Sequence, residues 1–325
     1  VNERIADIRD TVLLSAAIVL GVVLSFEFSL VGLPLAAMGV AGLTYRGRGV
    51  GAATSSAVGI AVVGVLQPAS VIFVAPAVVA MLLAVALLSR IDAQWVGAML
   101  TLVLSIAGWG RDYVLLKGEG TSVYAMLSTE MNKAVAQQSA TAGGAASVQA
   151  MREAANLMLS LIPMMYFITG LFTAIAVIVA IAWTAKRAGR TVKVPSLARL
   201  DLSPHVLWPF IVGVFALAAS YASIPNAALW GVIGLNLVFC VSALFSLQGL
   251  GVAAGVLDRT RVGLGVRILA LAALAVIDVF THMVSLVGLI DFWINFRRLP
   301  RDGATPSSPL SAVSDRQRNE LPSGG

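Results

Sequence analysis

The chain has 325 residues, 58% of them hydrophobic and 12% charged, with a net charge of +6 and a mean hydropathy of +0.91. Soluble domains carry about a quarter charged residues, so the charged shell that a water-soluble body of this size needs is missing. Apolar runs near 20 residues recur along the whole length; the bilayer is the natural solvent, and the expected fold is an all-α, polytopic helical membrane protein.

The first apolar run covers residues 11–26 and closes at Glu27; the second covers 28–45, includes Pro34, and is followed by "RGRG". Runs three and four, 50–66 and 69–88, are joined by Gln67 and Pro68. Run five, 93–116, follows Arg90 and Asp92 and carries Arg111 and Asp112 near its end. At about 1.5 Å per residue the shorter runs reach only about 24 Å, which suits a bundle that thins the bilayer locally. The opening "VNERIADIRD" holds acids among its first charges, and no cleavage site follows run one. It reads as an uncleaved first span, and Val1 points to a bacterial start codon other than Met.

Residues 117–161 break the pattern. Val123, Met126, Leu127, Met131 and Val135 recur at helical spacing, which predicts an amphipathic helix capped by Thr121 or Ser122. "TAGGAAS" at 141–147 ends it, and a second polar helix leads through Pro163 into run six, 164–185. The pair forms either a helical hairpin lying on the membrane surface or a lid over a cavity.

The stretch "KRAGRTVKVPSLARLD", 186–201, is the strongest basic loop. Run seven covers 205–223, Pro225 and Asn226 make a turn, and run eight, 227–257, ends at "DRTR". The last apolar stretch, 262–296, holds Asp278 and His282. Loops at Glu27, Gln67 and Asn226 lack Lys and Arg, whereas those at Arg46, Arg90, Lys186 and Arg259 carry them. That alternation predicts a cytoplasmic N-terminus in a bacterial inner membrane and places 117–161 outside. A single last span would leave Arg297, Arg298 and Arg301 on the wrong side; a split at 280–283 returns them, giving eight to ten spans with ten preferred. The expected division is an N-terminal bundle (1–116), the hairpin (117–161), a C-terminal bundle (162–298) and a Pro/Ser/Gly-rich tail (299–325) without fixed structure.

Gly249, Gly251 and Gly255 lie inside run eight rather than between a strand and a helix, so they read as a smooth face for close helix contact, not a dinucleotide loop. Asn236 and Gln248 are amides in the same run, and Tyr166 is a polar group in run six. Each either bonds a neighbouring helix or lines a site for a polar ligand. Asp278 and His282, four apart, form an ion or proton site if the helix is continuous, and are interfacial if the turn falls between them. Cys240 is the only cysteine and there are two histidines; no thiolate metal site, HExxH or GxSxG arrangement is present. No metal, cofactor or enzymatic activity is expected, and no basic, aromatic-interleaved groove for nucleic acid is visible.

Three C-terminal stretches carry a resemblance: "LMLSLIPMMYFITGLFTAIAVIVAIAWTAKRAG", then Asn236 followed by "SLQGLGVAAGVLDR", then "LVGLIDFWINFRRL". Together they resemble the YybS-like family of bacterial integral membrane proteins, which has no established activity. That family is itself similar to the substrate-binding membrane subunits of energy-coupling-factor transporters. The resemblance implies a membrane subunit that binds or helps move a small solute, energised by a separate partner subunit. The alternative is a non-transporting scaffold or regulator. Asp291, close to Arg297 and Arg298, is expected to pair with an arginine and anchor the last span, with Phe292, Trp293 and Phe296 in the headgroup belt.

Overall fold

The computed structural model describes residues 2–139, 145–260 and 262–299. The break expected at 141–144, Arg301 and the tail beyond Leu299 lie outside them. Among the described residues there are twelve α-helices and no strand. In chain order they are α1 (Asn2–Leu24), α2 (Ser29–Tyr45), α3 (Gly49–Leu66), α4 (Val71–Leu87), α5 (Ala93–Gly118) and α6 (Val123–Ser139). Then follow α7 (Ala145–Ser160), α8 (Ile162–Arg187), α9 (Leu207–Ala219), α10 (Ala227–Asp258), α11 (Leu264–Thr281) and α12 (Met283–Ile294). Ten of the twelve coincide with the apolar runs, and α6 and α7 with the polar insertion.

Six helices are long and apolar enough to cross a bilayer: α3, α4 with its preceding 3-10 turn, α5, α8, α10 and α11. The protein is a polytopic helical membrane protein. Three expected spans are shorter, with 17 residues in α2, 13 in α9 and 12 in α12, whereas a full crossing takes about 20. The split expected in the last stretch falls at His282, which adopts a left-handed conformation (φ 54°) between α11 and α12.

The chain divides into two compact units, and the division falls within α10. The first holds Val1–Pro195 and His205–Ala243; the second holds Ser196–Pro204 and the chain from Leu244 onward. The boundary expected at 162 lies inside the first of these units. α8 packs on α2 and α5, so it belongs with the N-terminal helices and not with a separate C-terminal bundle.

In the first unit, α1 packs on α2 and α3, and α5 packs on α4 and α8. Lipid is as apolar as leucine, so close packing rather than water expulsion holds such helices together. The α1–α2 contact shows how close: a Cβ on Gly21 would lie 2.4 Å from the Ala36 nitrogen, and one on Gly32 2.4 Å from the Ser25 nitrogen. Ile18, Val40, Met81, Leu100 and Ile181 fill the core, while large apolar groups such as Val65, Phe172 and Phe215 stay exposed, as a lipid-facing surface requires. Arg46 pairs with Asp10 at 3.1 Å and Arg48 with Asp7, tying the first helix to the loop after α2. Ser122 caps α6 by accepting the Ala125 N–H at 3.1 Å, and α6 packs on α7.

Candidate functional site

The polar groups of the first unit gather where α5 and α8 pass closely. A Cβ on Gly170 would meet the Ser105 hydroxyl oxygen at 2.4 Å, so only glycine permits this approach. One turn before Gly170 on α8 stands Tyr166, two turns after Ser105 on α5 stands Asp112, and the Tyr166 hydroxyl donates to Asp112 Oδ2 at 2.7 Å. The other carboxylate oxygen, Oδ1, accepts from Arg111 Nε at 2.8 Å. Arg111 Nη1 donates to the Phe26 carbonyl at 2.6 Å, and the guanidinium lies 5.6 Å from the Phe73 ring centroid, within cation–π range. Guanidinium, carboxylate and phenol thus neutralise and orient one another.

These groups line a cavity of about 300 Å³. Ser29 at the start of α2, Phe73 of α4, Leu104 and Gly108 of α5, Val123 and Leu127 of α6, and Met165, Thr169 and Thr173 of α8 complete the wall. Val123 and Leu127, one turn apart on α6, thus border the cavity. The volume sits at the lower end of the range for small-molecule sites, and an apolar wall with a few convergent polar groups is their usual composition.

Of the candidate ligand residues named from the sequence, Tyr166 alone lines this cavity. Asn236 belongs to the same unit but does different work. Its Oδ1 accepts the Met164 N–H at 2.9 Å, and its Nδ2 donates to the carbonyls of Ser160 and Val232 at 2.7 and 2.8 Å. Met164 lies in the first turn of α8, where an N–H has no intrahelical acceptor; Asn236 supplies one from another helix and ties the α7–α8 joint. These contacts hold Asn236 to the α7–α8 joint, and it is not among the residues that line the cavity.

The second unit holds the other polar residues in two closed networks. Gln248 is fully buried; its Oε1 accepts from Leu202 N at 3.1 Å, and its Nε2 donates to Asp201 Oδ1 and Asp291 Oδ2 at 3.0 and 2.9 Å. Those contacts tie α10 to the 201–202 segment and to α12. Asp291, also fully buried, accepts from Arg297 Nη2 at 2.8 Å and from Phe296 N at 2.8 Å. Arg297 Nη1 donates to the carbonyls of Ala198 and Leu200 at 3.2 and 2.6 Å. Asp291 thus pairs with Arg297, while Arg298 stays exposed. Phe292 turns inward against Phe245, with ring centroids 5.8 Å apart; Trp293 and Phe296 are exposed.

The glycines expected to meet a helix divide. A Cβ on Gly249 would lie 2.0 Å from the Val284 carbonyl oxygen, a true helix–helix contact. Gly251 and Gly255 instead make room for an arginine. A Cβ on Gly251 would sit 2.8 Å from the Leu197 carbonyl oxygen and 3.0 Å from Arg297 Nη1, and one on Gly255 3.4 Å from Arg297 Cγ.

Asp278 and His282 do not form a joint site. The Asp278 carboxylate accepts the Ser285 N–H at 2.9 Å and the Ser285 hydroxyl at 2.6 Å, and it also bonds the Ser246 hydroxyl. It caps the N-terminus of α12 across the break, the favoured place for a negative charge on a helix. His282 is the exposed residue of the break itself. Sequence reasoning missed Arg111, Asp112 and Ser29 as site residues. The available signal was an adjacent ionisable pair inside the closing turns of an apolar run.

Twelve helices among the described residues, six of span length, describe a membrane fold, and a family model matches residues 11–292. The chain belongs to the DUF2232 family of predicted membrane proteins. No curated protein and no solved structure matches it. Membership in DUF2232 covers α2 to α11 entirely and reaches Asp291 of α12, so the cavity and the Gln248–Asp291 contact both fall inside the matched region.

Proposed function

We propose that this DUF2232 protein binds a small solute in the α5–α8 cavity and serves as a transport-associated membrane subunit. The observation that carries the reading is the convergence of Arg111, Asp112, Tyr166 and Ser29 on a cavity bordered by α6. Ionisable groups within a membrane domain are costly and mark ligand or ion paths. In the second unit Gln248, Asp291 and Arg297 bond one another, although among the described residues the buried Arg297 Nε has no partner. The sequence has no phosphate-binding Gly-x-x-x-x-Gly-Lys-Ser/Thr motif, so ATP-driven movement would need a separate partner subunit. The resemblance to the YybS-like family, itself similar to substrate-binding subunits of energy-coupling-factor transporters, implies the same role.

The proposed topology is ten crossings of a bacterial inner membrane with both termini cytoplasmic, the short helices crossing where the bundle thins the bilayer. Two contacts support it. The Arg111 guanidinium reaches the Phe26 carbonyl, next to the charge-poor loop at Glu27, and the Lys193 N–H reaches the Leu88 carbonyl at 3.3 Å, next to Arg90. Loops assigned to one side thus meet one another. The hairpin then lies outside and gates entry.

A thermal-stability screen of the detergent-purified protein against a solute library tests the reading. A Cβ on Gly108 would point at Tyr166, 3.5 Å from Cδ1, so Gly108→Leu fills the cavity without a backbone clash. A solute that stabilises the wild type and not Gly108→Leu is the expected result. Equal responses of the two, or none from any solute, would favour a non-transporting scaffold.

A further inference from the structure

The unspent hydrogen-bonding groups of the cavity point to the chemical class of the solute, an inference that rests on the solute-binding reading above. Both oxygens of Asp112 are engaged, by Arg111 and Tyr166. Tyr166 spends its proton on that contact, and the Thr169 and Thr173 hydroxyls donate to the carbonyls of Met165 and Thr169. The protons left unspent belong to Arg111 and Ser29, whereas the remaining acceptor capacity is the further lone pairs of oxygens that are already bonded. Arg111 Nη2 makes no hydrogen bond among the described residues, although its neighbours Nε and Nη1 do. The Ser29 hydroxyl is likewise free to donate. The residue preceding α2, Phe28, offers no side-chain cap. Its carbonyl takes the Val31 and Gly32 N–H groups, which leaves those of Ser29 and Leu30 without an intrahelical acceptor.

A wall with surplus donors recognises a head group that only accepts. A carboxylate meets that need, and a guanidinium edge beside a helix N-terminus strengthens it. An ammonium group would have to share the Asp112 oxygens with Arg111 and Tyr166, which already donate to them. Arg111, the only cation among the lining residues, already pairs with Asp112, so a phosphate's second charge is matched less well than the single charge of a carboxylate. Phe73, Leu104, Leu127 and Ile162 line the remainder and suit an apolar body. A volume of about 300 Å³ equals the liquid share of about ten waters, which fits a solute of about ten to fifteen non-hydrogen atoms. We propose that the cavity takes a small monocarboxylate with an apolar body, its carboxylate held by Arg111 Nη2 and the Ser29 end of α2.

Equilibrium binding of radiolabelled phenylacetate to the full chain in lipid nanodiscs tests this, with phenylacetamide, 2-phenylethylamine and palmitate as competitors. Phenylacetate should bind, and phenylacetamide should compete about tenfold more weakly or worse, the factor expected for a hydrogen bond to a charged group. The amine should not compete. Arg111→Gln should erase the preference for acid over amide, Arg111→Lys should keep part of it, and Ser29→Ala, which leaves the Arg111–Asp112–Tyr166 contacts intact, should weaken phenylacetate alone. Overturning results are an amide or amine that competes as well as the acid, an unchanged preference in Ser29→Ala and Arg111→Gln together, or no phenylacetate binding by folded wild type. Palmitate competing better than phenylacetate would reassign the site to membrane lipid and also overturn the small-solute class. If non-acidic solutes stabilise the wild type and not Gly108→Leu, the cavity reading stands while the carboxylate class falls.

Discussion

Replacing Asp291 by Asn removes one charge and one acceptor from the most enclosed polar contact of the second unit. Three N–H donors converge on this carboxylate, from Arg297, Gln248 and Phe296. An amide in either orientation turns its NH2 toward one of them. The Arg297 side chain is 4% exposed, and its nearest other carboxylate, Asp201, is 3.8 Å away, beyond hydrogen-bonding distance. The buried Arg297 Nε already lacks a partner, so the guanidinium has no slack. Breaking a buried ion pair by removing one partner costs about 3–5 kcal/mol; the Asp201 charge and the carbonyls of Ala198 and Leu200 should hold the loss near the lower end. Unfolding of the purified protein in mixed micelles, followed by circular dichroism, reads this directly. In the double variant Asp291→Leu/Arg297→Met the coupling should return at least about 1 kcal/mol relative to the sum of the single losses. Solute binding in the first unit should be unaffected. A loss below about 1 kcal/mol for Asp291→Asn, or strict additivity in the cycle, would refute the claim that this pair holds the end of the chain.

Gly251→Leu should destabilise by about 1–3 kcal/mol through overpacking against Arg297 and the Leu197 carbonyl, and Arg297→Ala should relieve part of that loss in the same unfolding assay. Asn236→Leu orphans the Met164 N–H and the Ser160 carbonyl; it should cost about 1–3 kcal/mol while leaving the solute affinity of the folded fraction unchanged. Deleting residues 123–149 should speed release of bound solute in a filter-binding time course without abolishing binding, because α6 borders the cavity but donates no hydrogen bond to it. Reporter fusions at Val194 and Gln138 should read inside and outside, respectively, and the reverse pair would overturn the topology.

The membrane class and nearly every helix could be read from the sequence, because in lipid each backbone polar group must be satisfied within its own helix and apolar runs announce where that happens. The break at His282 falls within the split expected at 280–283 from the charge pattern. Residue roles were less legible because they depend on partners far along the chain. Asn236 looks like a ligand amide until its acceptor is seen capping α8, 72 residues away. Gln248 behaves the same way toward Leu202 and Asp291. Arg111 and Asp112, at the end of an apolar run, look like ordinary interfacial charges, and only the approach of α8 at Gly170 brings Tyr166 onto them. The glycine spacing at 251 and 255 signals close approach, but spacing cannot tell whether a helix or an arginine stem comes close.

Native mass spectrometry of the protein released gently from micelles tests the central claim most directly, comparing wild type with Gly108→Leu prepared in parallel. The account predicts that the wild type retains a small molecule, identifiable as an acid after release, and that Gly108→Leu, equally folded, retains none. The same bound mass on both proteins, or a bare wild type that stays bare when supplied with every solute that stabilises it, would contradict a solute site between α5 and α8.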